Sequence, residues 1–155
     1  MLEDIRQQGS PSIRVSLQPA SSELRIGSFL DFTVQTDSAG YLYVLHVGTD
    51  GKLFNLLFPN EHDDENRISP GTHPFPRASW RIRALGNPPG TGYLMAIVSQ
   101  RPRDFLQESQ VEGGFRSAPV NAALARSLAV EAASGNSAAP GRFGSSAVVA
   151  IREIP

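Results

Sequence analysis

The sequence has no cysteine, one lysine, one tryptophan and no long apolar run. Without cysteine the chain cannot form a disulfide, offer a thiolate nucleophile or hold zinc or an iron–sulfur group through sulfur. Its only lysine, Lys52, lies in a predicted turn, so the chain lacks the strand lysine of a protein kinase. No segment approaches the ~18 continuous apolar residues of a membrane span, and we expect no membrane insertion by this segment.

The sequence also has no excess of charge of one sign: its 14 basic and 15 acidic residues give a net charge of -1. Such a chain has no global field to attract nucleic acid, and we expect no nucleic-acid partner.

Its 155 residues suit one domain. The polar N-terminus lacks the apolar core of a signal peptide. We expect residues 1–11 to be a linker or an expression-derived segment, residues 12–155 to be one domain, and the chain to be part of a larger protein.

Apolar residues recur mainly with a period of two, which predicts a β protein. The runs 41–47 and 93–98 are apolar on both faces and predict central strands covered on both sides. Asp50-Gly51 favours a hairpin turn that pairs strand 41–47 with strand 53–58. One-sided strands are predicted at 13–17, 30–35 and 80–84, a short edge strand at 72–75 and a final strand at 147–154.

A helix is predicted late in the chain, because Pro119 suits a first helical position and Gly135 can end the helix. It spans 119–133 within an insertion at about 117–135. The fold class predicted is all-β and mostly antiparallel: an immunoglobulin-like β-sandwich with one inserted α-helix near the C-terminus. A small closed barrel is the alternative.

The densest polar segment follows strand 53–58 and Pro59, at residues 60–67. It can be an architectural loop whose asparagines bond their own backbone, or a surface for a protein, peptide or glycan. Candidate binding residues in this loop and the next strand are Asn60, His62, Asp63, Asp64, Asn66, Arg67, Trp80 and Arg81. The adjacent carboxylates lack the spacing of a calcium loop. We therefore expect no metal and no cofactor.

Catalytic patterns are weak. His62 with Asp63 or Asp64 is the only plausible base pair, and no nucleophile accompanies it. His46 is interpreted as a partly buried scaffold residue, and Gly144-Ser145-Ser146 is not a nucleophile elbow. The chain is therefore predicted not to be an enzyme, with a cryptic hydrolase centred on His62 as an alternative. Phe29, Phe32, Phe54, Phe58 and Phe75 are interpreted as core.

Several motifs occur in a recognisable order. They are Gly40-Tyr41-Leu42-Tyr43-Val44-Leu45, Asp50-Gly51, Leu57-Phe58-Pro59-Asn60, Asn66-Arg67-Ile68 with Pro70-Gly71, Trp80, Leu94-Met95-Ala96-Ile97-Val98-Ser99, Pro102-Arg103-Asp104-Phe105 and Phe143-Gly144-Ser145-Ser146. Over roughly 24–154 this series resembles a bacterial domain family of unknown function. Such domains are found in the C-terminal, non-catalytic region of serine/threonine kinases associated with type VI secretion and in related envelope proteins.

The resemblance implies a binding or sensing module, the extracytoplasmic domain of a membrane-anchored kinase, that recognises a protein or envelope ligand. It implies a periplasmic location within the larger protein; otherwise the domain would be cytoplasmic. It brings no catalytic residues. The structural alternative is a spacer or oligomerisation domain, a possible homodimer formed through an edge strand or helix 119–133.

Overall fold

The computed structural model describes residues 2–86, 88–103, 110–112, 115–119 and 142–155. These residues form one helix and twelve strands. In chain order the elements are α1 (Leu2–Gln7), β1 (Val15–Pro19), β2 (Glu23–Arg25), β3 (Phe32–Thr36), β4 (Gly40–Val47), β5 (Leu53–Phe58), β6 (Arg67–Ile68), β7 (Gly71–Phe75), β8 (Gly90–Ser99), β9 (Gln110–Glu112), β10 (Phe115–Pro119), β11 (Phe143–Ser145) and β12 (Val149–Ile154).

The strands form two sheets, mostly antiparallel. A three-stranded sheet has the order β1-β3-β7. A nine-stranded sheet has the order β2-β12-β8-β4-β5-β10-β9, with β11 paired to β8 and β6 paired to β4. Among the strands that the structure describes, β2 and β12 are the only pair that runs parallel. The predicted all-β, antiparallel sandwich is therefore confirmed.

The large sheet is buried on both faces, which explains why its central strands are apolar throughout. On one face Leu42, Val44 and Ala96 pack against the small sheet, which contributes Val34 and Phe32. On the other face Leu45, Phe54 and Met95 form a second cluster with Leu2 and Ile5 of α1. Alternate side chains of one strand thus enter different cores, as the geometry of a strand requires.

The hairpin between β4 and β5 confirms the interpretation of Asp50-Gly51. Gly51 has φ of 71°, in the left-handed region that glycine tolerates. The backbone amide of Lys52 donates to Asp50 Oδ1 at 2.9 Å, which closes the turn. β4 and β5 then pair antiparallel, with a register shift between Val44 and Leu45.

The helix is not where the sequence analysis places it. Within the described residues the helix is α1, at the N-terminus, in the segment expected to be a linker. Leu2 and Ile5 lie three residues apart on one face of the helix and are both buried. Residues 117–119, expected to begin the helical insertion, belong to β10 and pair with β5. The rest of the predicted helix lies outside the described residues.

Candidate functional site

The polar loop, residues 60–67, connects β5 to β6, and both of these strands pair with the same side of β4. β5 pairs with β4 as far as Val44, and β6 pairs with β4 only at Gly40 and Tyr41. Between them, Leu42 is bonded by one residue of the loop: Leu42 N donates to Asn66 O at 2.8 Å, and Asn66 Nδ2 donates to Leu42 O at 3.1 Å. Leu42 is in register with Val98 of β8 on one side, and Asn66 satisfies its backbone on the other side, which neither β5 nor β6 reaches.

The first half of the loop is closed by Asn60, which is only 8% exposed. Its Nδ2 donates to Leu57 O at 2.9 Å, and its Oδ1 accepts from His62 N at 2.9 Å. Its backbone amide donates to Asp63 O at 2.9 Å, and Asp63 N returns a bond to Asn60 O at 3.1 Å. These four bonds fix residues 60–63 as a tight turn beside the cis Phe58–Pro59 peptide bond.

Asp63 ties the loop to the next segment of the chain. Arg77 binds it with two parallel bonds, Nε to Oδ2 at 2.6 Å and an amino nitrogen to Oδ1 at 2.7 Å. Trp80 Nε1 donates to Oδ2 at 3.0 Å, and Arg77 also donates to Glu65 O at 2.6 Å. Bidentate arginine–carboxylate pairs are among the strong, geometrically specific bonds in proteins. The Asp63 side chain is 11% exposed, so little water competes for it.

Two effects act on the pKa of Asp63. Partial burial favours the neutral acid and acts to raise the pKa. The hydrogen bonds from Arg77 and Trp80, together with the positive charge of Arg77, outweigh burial and hold the pKa below its usual value. Asp63 is therefore a charged structural group at neutral pH rather than a proton donor.

The Arg77–Asp63 ion pair packs against an aromatic cluster formed by Phe58, Phe75 and Trp80. The Arg77 guanidinium lies 4.8 Å from the centre of the Phe58 ring and 5.6 Å from that of Phe75. Trp80 stacks on Phe58 with centroids 6.0 Å apart and planes inclined by 7°. Trp80 itself is 5% exposed: its ring is buried in the aromatic cluster, and its Nε1 bonds the loop at Asp63. The loop thus rests on the edge of the sandwich core.

The outward side of the loop has a different character. Its side chains Glu61, His62, Asp64, Glu65 and Arg67 are exposed. Arg67 lies over the Tyr41 ring, 5.4 Å from its centre. Among the residues that the structure describes, Glu61, Asp64 and Glu65 form no ion pair, and the His62 imidazole makes no hydrogen bond. No cluster of three potential metal ligands occurs in that same part of the chain.

The structure therefore divides the predicted site residues into three groups. Asn60, Asp63, Asn66 and Trp80 turn inward and build the loop. His62, Asp64 and Arg67 lie at its surface. Arg81 is turned away from the loop, and its guanidinium lies 5.2 Å from the centre of the Phe29 ring.

Sequence reasoning missed Arg77 as the partner that holds the loop. An arginine fourteen residues from its carboxylate carries no local signal of pairing.

His46 is a second polar position within the large sheet. Burial lowers its pKa to about 4, so the imidazole is neutral at physiological pH. Asn55 Nδ2 lies 3.0 Å from His46 Nδ1, and a neutral ring can accept that bond. His46 and Asn55 face each other in register on β4 and β5. The contact agrees with a scaffold role for this histidine.

These features define a class of molecule: a β-sandwich domain with one rigid polar loop at the sheet edge. Residues 23–102 match the family described as "Domain of unknown function (DUF4384)". The match covers just over half of the 155 residues, and the chain belongs to this family. No curated protein and no solved structure shows significant similarity to the chain. Within the described residues, no helix has the length and apolarity needed to cross a membrane.

Proposed function

We propose that this domain is a non-catalytic binding or sensing module that recognises a protein or envelope ligand through the outward side of the 60–67 loop. The observation that carries the proposal is that some side chains of the loop are hydrogen-bonded inside the protein and others are exposed to solvent. Asn60, Asp63 and Asn66 are bonded inside the protein. The side chains of Glu61, Asp64 and Glu65 remain in solvent.

Rigidity makes such a surface suitable for recognition. Ordering a flexible loop on binding costs free energy, roughly 0.5–1.5 kcal/mol for each immobilised long side chain. Here the backbone is already fixed by the bonds from Arg77, Asn60 and Asn66. A partner would have to order only the exposed side chains.

The charge of this surface indicates the kind of partner. Three exposed carboxylates lie within five positions, and one exposed cation, Arg67, lies at their end over Tyr41. Complementary charges across an interface speed association and select against wrong partners. The partner chemistry that fits is a basic segment of a protein, or an envelope ligand that presents cationic groups.

The biological setting of the proposal comes from the motif resemblance. The domain would be the extracytoplasmic part of a membrane-anchored bacterial serine/threonine kinase linked to type VI secretion, located in the periplasm. Occupancy of the loop would then be passed to a catalytic region elsewhere in the longer protein. A homodimer is compatible with this setting.

The test is capture from an envelope extract by immobilised protein, quantified by mass spectrometry. The test variant, D64N/E65Q, neutralises two outward carboxylates and leaves the Asp63 bonds in place. The matched control, E3Q/E23Q, removes the same charge at two exposed positions outside the loop. We expect a specific partner on the wild type and the control but not on D64N/E65Q. Equal capture by all three proteins, or no capture by any, would instead favour a spacer.

A further inference from the structure

A second exposed surface lies where residues 26–30 run beside residues 82–86. Leu30 N donates to Ile82 O at 2.8 Å, Ala84 N to Ser28 O at 2.9 Å and Gly27 N to Ala84 O at 2.8 Å. Phe29 and Arg83 face each other as an isolated bridge. We call the outward side chains of this pair, Ile26, Phe29, Arg81, Arg83 and Leu85, the arginine–phenylalanine patch.

The patch combines exposed apolar groups with guanidinium groups. Five large hydrophobic side chains are exposed in the described part of the chain, and three of them belong to the patch: Ile26 at 39%, Phe29 at 38% and Leu85 at 69%. The guanidinium carbons of Arg81 and Arg83 lie 5.2 and 5.0 Å from the centre of the Phe29 ring. Apolar surface concentrated in this way is a usual mark of an interaction site.

The arginines of the patch are positioned but not neutralised. Within the described residues, neither Arg81 nor Arg83 forms an ion pair. Two carboxylates on neighbouring segments already have partners: Glu153 accepts from Gly86 N at 3.1 Å, and Glu23 lies 3.7 Å from Arg152. Asp31 is exposed and adds one negative charge next to the patch.

The segment below the patch is firmly anchored, although residues 80–84 form only the isolated bridge at Arg83 and not the predicted strand. Trp80 and Ala84 are buried on its inner side and Leu30 is buried on the facing segment, so the outward side chains stand on fixed backbone. Contact with the Phe29 ring also restricts the two guanidinium groups, and their N–H groups form no hydrogen bond within the described residues. An arginine held in one plane loses less freedom when it forms paired bonds to a carboxylate.

From this geometry we infer that the arginine–phenylalanine patch docks an acidic protein segment that carries apolar side chains between its carboxylates. Carboxylates would receive the N–H edges of Arg81 and Arg83, and the apolar side chains would cover Phe29 and Leu85. This surface is distinct from the acidic outward side of the 60–67 loop, and the inference does not depend on the function proposed for that loop.

A membrane surface is the less suitable occupant. Binding at a bilayer interface strengthens with the apolar area that enters the headgroup region. Phe29, however, is flanked by the two guanidinium groups that lie against its ring. A paired guanidinium also matches the planar carboxylate of a glutamate or aspartate.

The test measures binding by fluorescence anisotropy. The probe is a fluorescein-labelled peptide of alternating glutamate and leucine, and its counterpart has glutamine in place of glutamate. We expect the wild type to bind the glutamate peptide roughly ten-fold or more tightly than the glutamine peptide, with affinity falling as salt is added. R81Q/R83Q should lose roughly ten-fold or more, and F29A should lose part of the affinity because its arginines are no longer stacked.

The matched control is R14Q/R142Q, which removes two exposed arginines elsewhere in the chain. It should bind the glutamate peptide within about two-fold of the wild type. Circular dichroism should show all variants folded, because every replaced side chain is exposed. The inference is overturned by no binding of the glutamate peptide, by equal losses in R81Q/R83Q and the control, or by binding only to vesicles of mixed phosphatidylcholine and phosphatidylglycerol.

Discussion

Asp63 and Asp64 are chemically identical neighbours with opposite surroundings. Asp63 turns inward and receives three hydrogen bonds from the side chains of Arg77 and Trp80. Asp64 points to solvent. The same contrast runs through the whole loop, in which an inward side builds the structure and an outward side is open to a partner. A dense polar segment is therefore not one site, because its residues divide by the direction in which the backbone turns them.

The largest effect is expected from removing the inward carboxylate. Asp63→Ala leaves the Arg77 guanidinium without its partner against Phe58, and the Trp80 Nε1 proton without an acceptor. We expect the free energy of unfolding to fall by about 2–3 kcal/mol. Asp64→Ala is the matched control and should change it by less than about 0.5 kcal/mol. Urea unfolding of both variants measures the difference, and equal values would remove the distinction between the two sides.

Acid should weaken the fold through two inward groups in separate pH ranges. The pKa of His46 is lowered by burial to about 4 in the folded state, against 6.5 when unfolded. Between these values only the unfolded chain takes up the proton, so stability falls as the pH falls from 6.5 to 4, by roughly 3 kcal/mol. His46→Gln should flatten this range.

Below about pH 4 the second group, Asp63, takes over. Its folded pKa lies below the usual value, so its contribution is present above the unfolded pKa and is lost as the pH falls through the folded pKa. Asp63→Asn should flatten only this lower range. Thermal unfolding of the wild type and both variants across pH 3–7 checks both assignments. If the two variants lost the same range, one of the assignments would be wrong.

A smaller effect separates the amides of the loop from its exposed acids. Asn66→Asp keeps the shape of the side chain but loses the donor to Leu42 O. Since an ionised carboxylate would then face a carbonyl, we expect a loss of about 1–2 kcal/mol. Glu65→Gln, which replaces an acid by an amide on the outward side, should leave the free energy of unfolding almost unchanged. Chemical unfolding curves compare the two, and a stable Asn66→Asp protein would contradict the role given to this amide.

The smallest change in stability is expected from the exposed carboxylates to which we assign the proposed function, Asp64 and Glu65. D64N/E65Q removes two charges that form no ion pair within the described residues, and E3Q/E23Q breaks only the two exposed ion pairs Glu3–Arg6 and Glu23–Arg152, so the free energy of unfolding of both variants should stay within about 1 kcal/mol of that of the wild type. The two variants should differ only in partner capture. A large loss of stability in D64N/E65Q would show that the outward side also belongs to the framework.

The sequence predicted the framework better than the site. Runs that are apolar on both faces and the Asp50-Gly51 turn predicted β4, β5 and β8, because strand burial and turn chemistry are local properties. The direction of Asp63 was hidden, since a continuous polar run has no apolar residue to indicate which positions face inward. Its link to Arg77 depends on tertiary structure, which brings together two segments that are separate in the chain.

Other errors have similar causes. Phe29 was interpreted as core but is 38% exposed, because hydrophobicity alone does not distinguish a core phenylalanine from one shielded by arginines. The helix α1 was hidden by the polar composition of residues 1–8, although the spacing of Leu2 and Ile5 was a usable signal. Short strands such as β2 and β11 have too few residues to show a period.

The most direct test of a preformed recognition loop is amide hydrogen exchange in the free protein, resolved by residue with NMR. The amides of Asn60, His62, Asp63 and Asn66 are each bonded within the loop. In the wild type and in Asp64→Asn they should exchange at least about ten-fold more slowly than in an unstructured chain, and in Asp63→Asn this protection should be lost. Unprotected amides in the wild type, or undiminished protection in Asp63→Asn, would contradict a loop held rigid by its inward side.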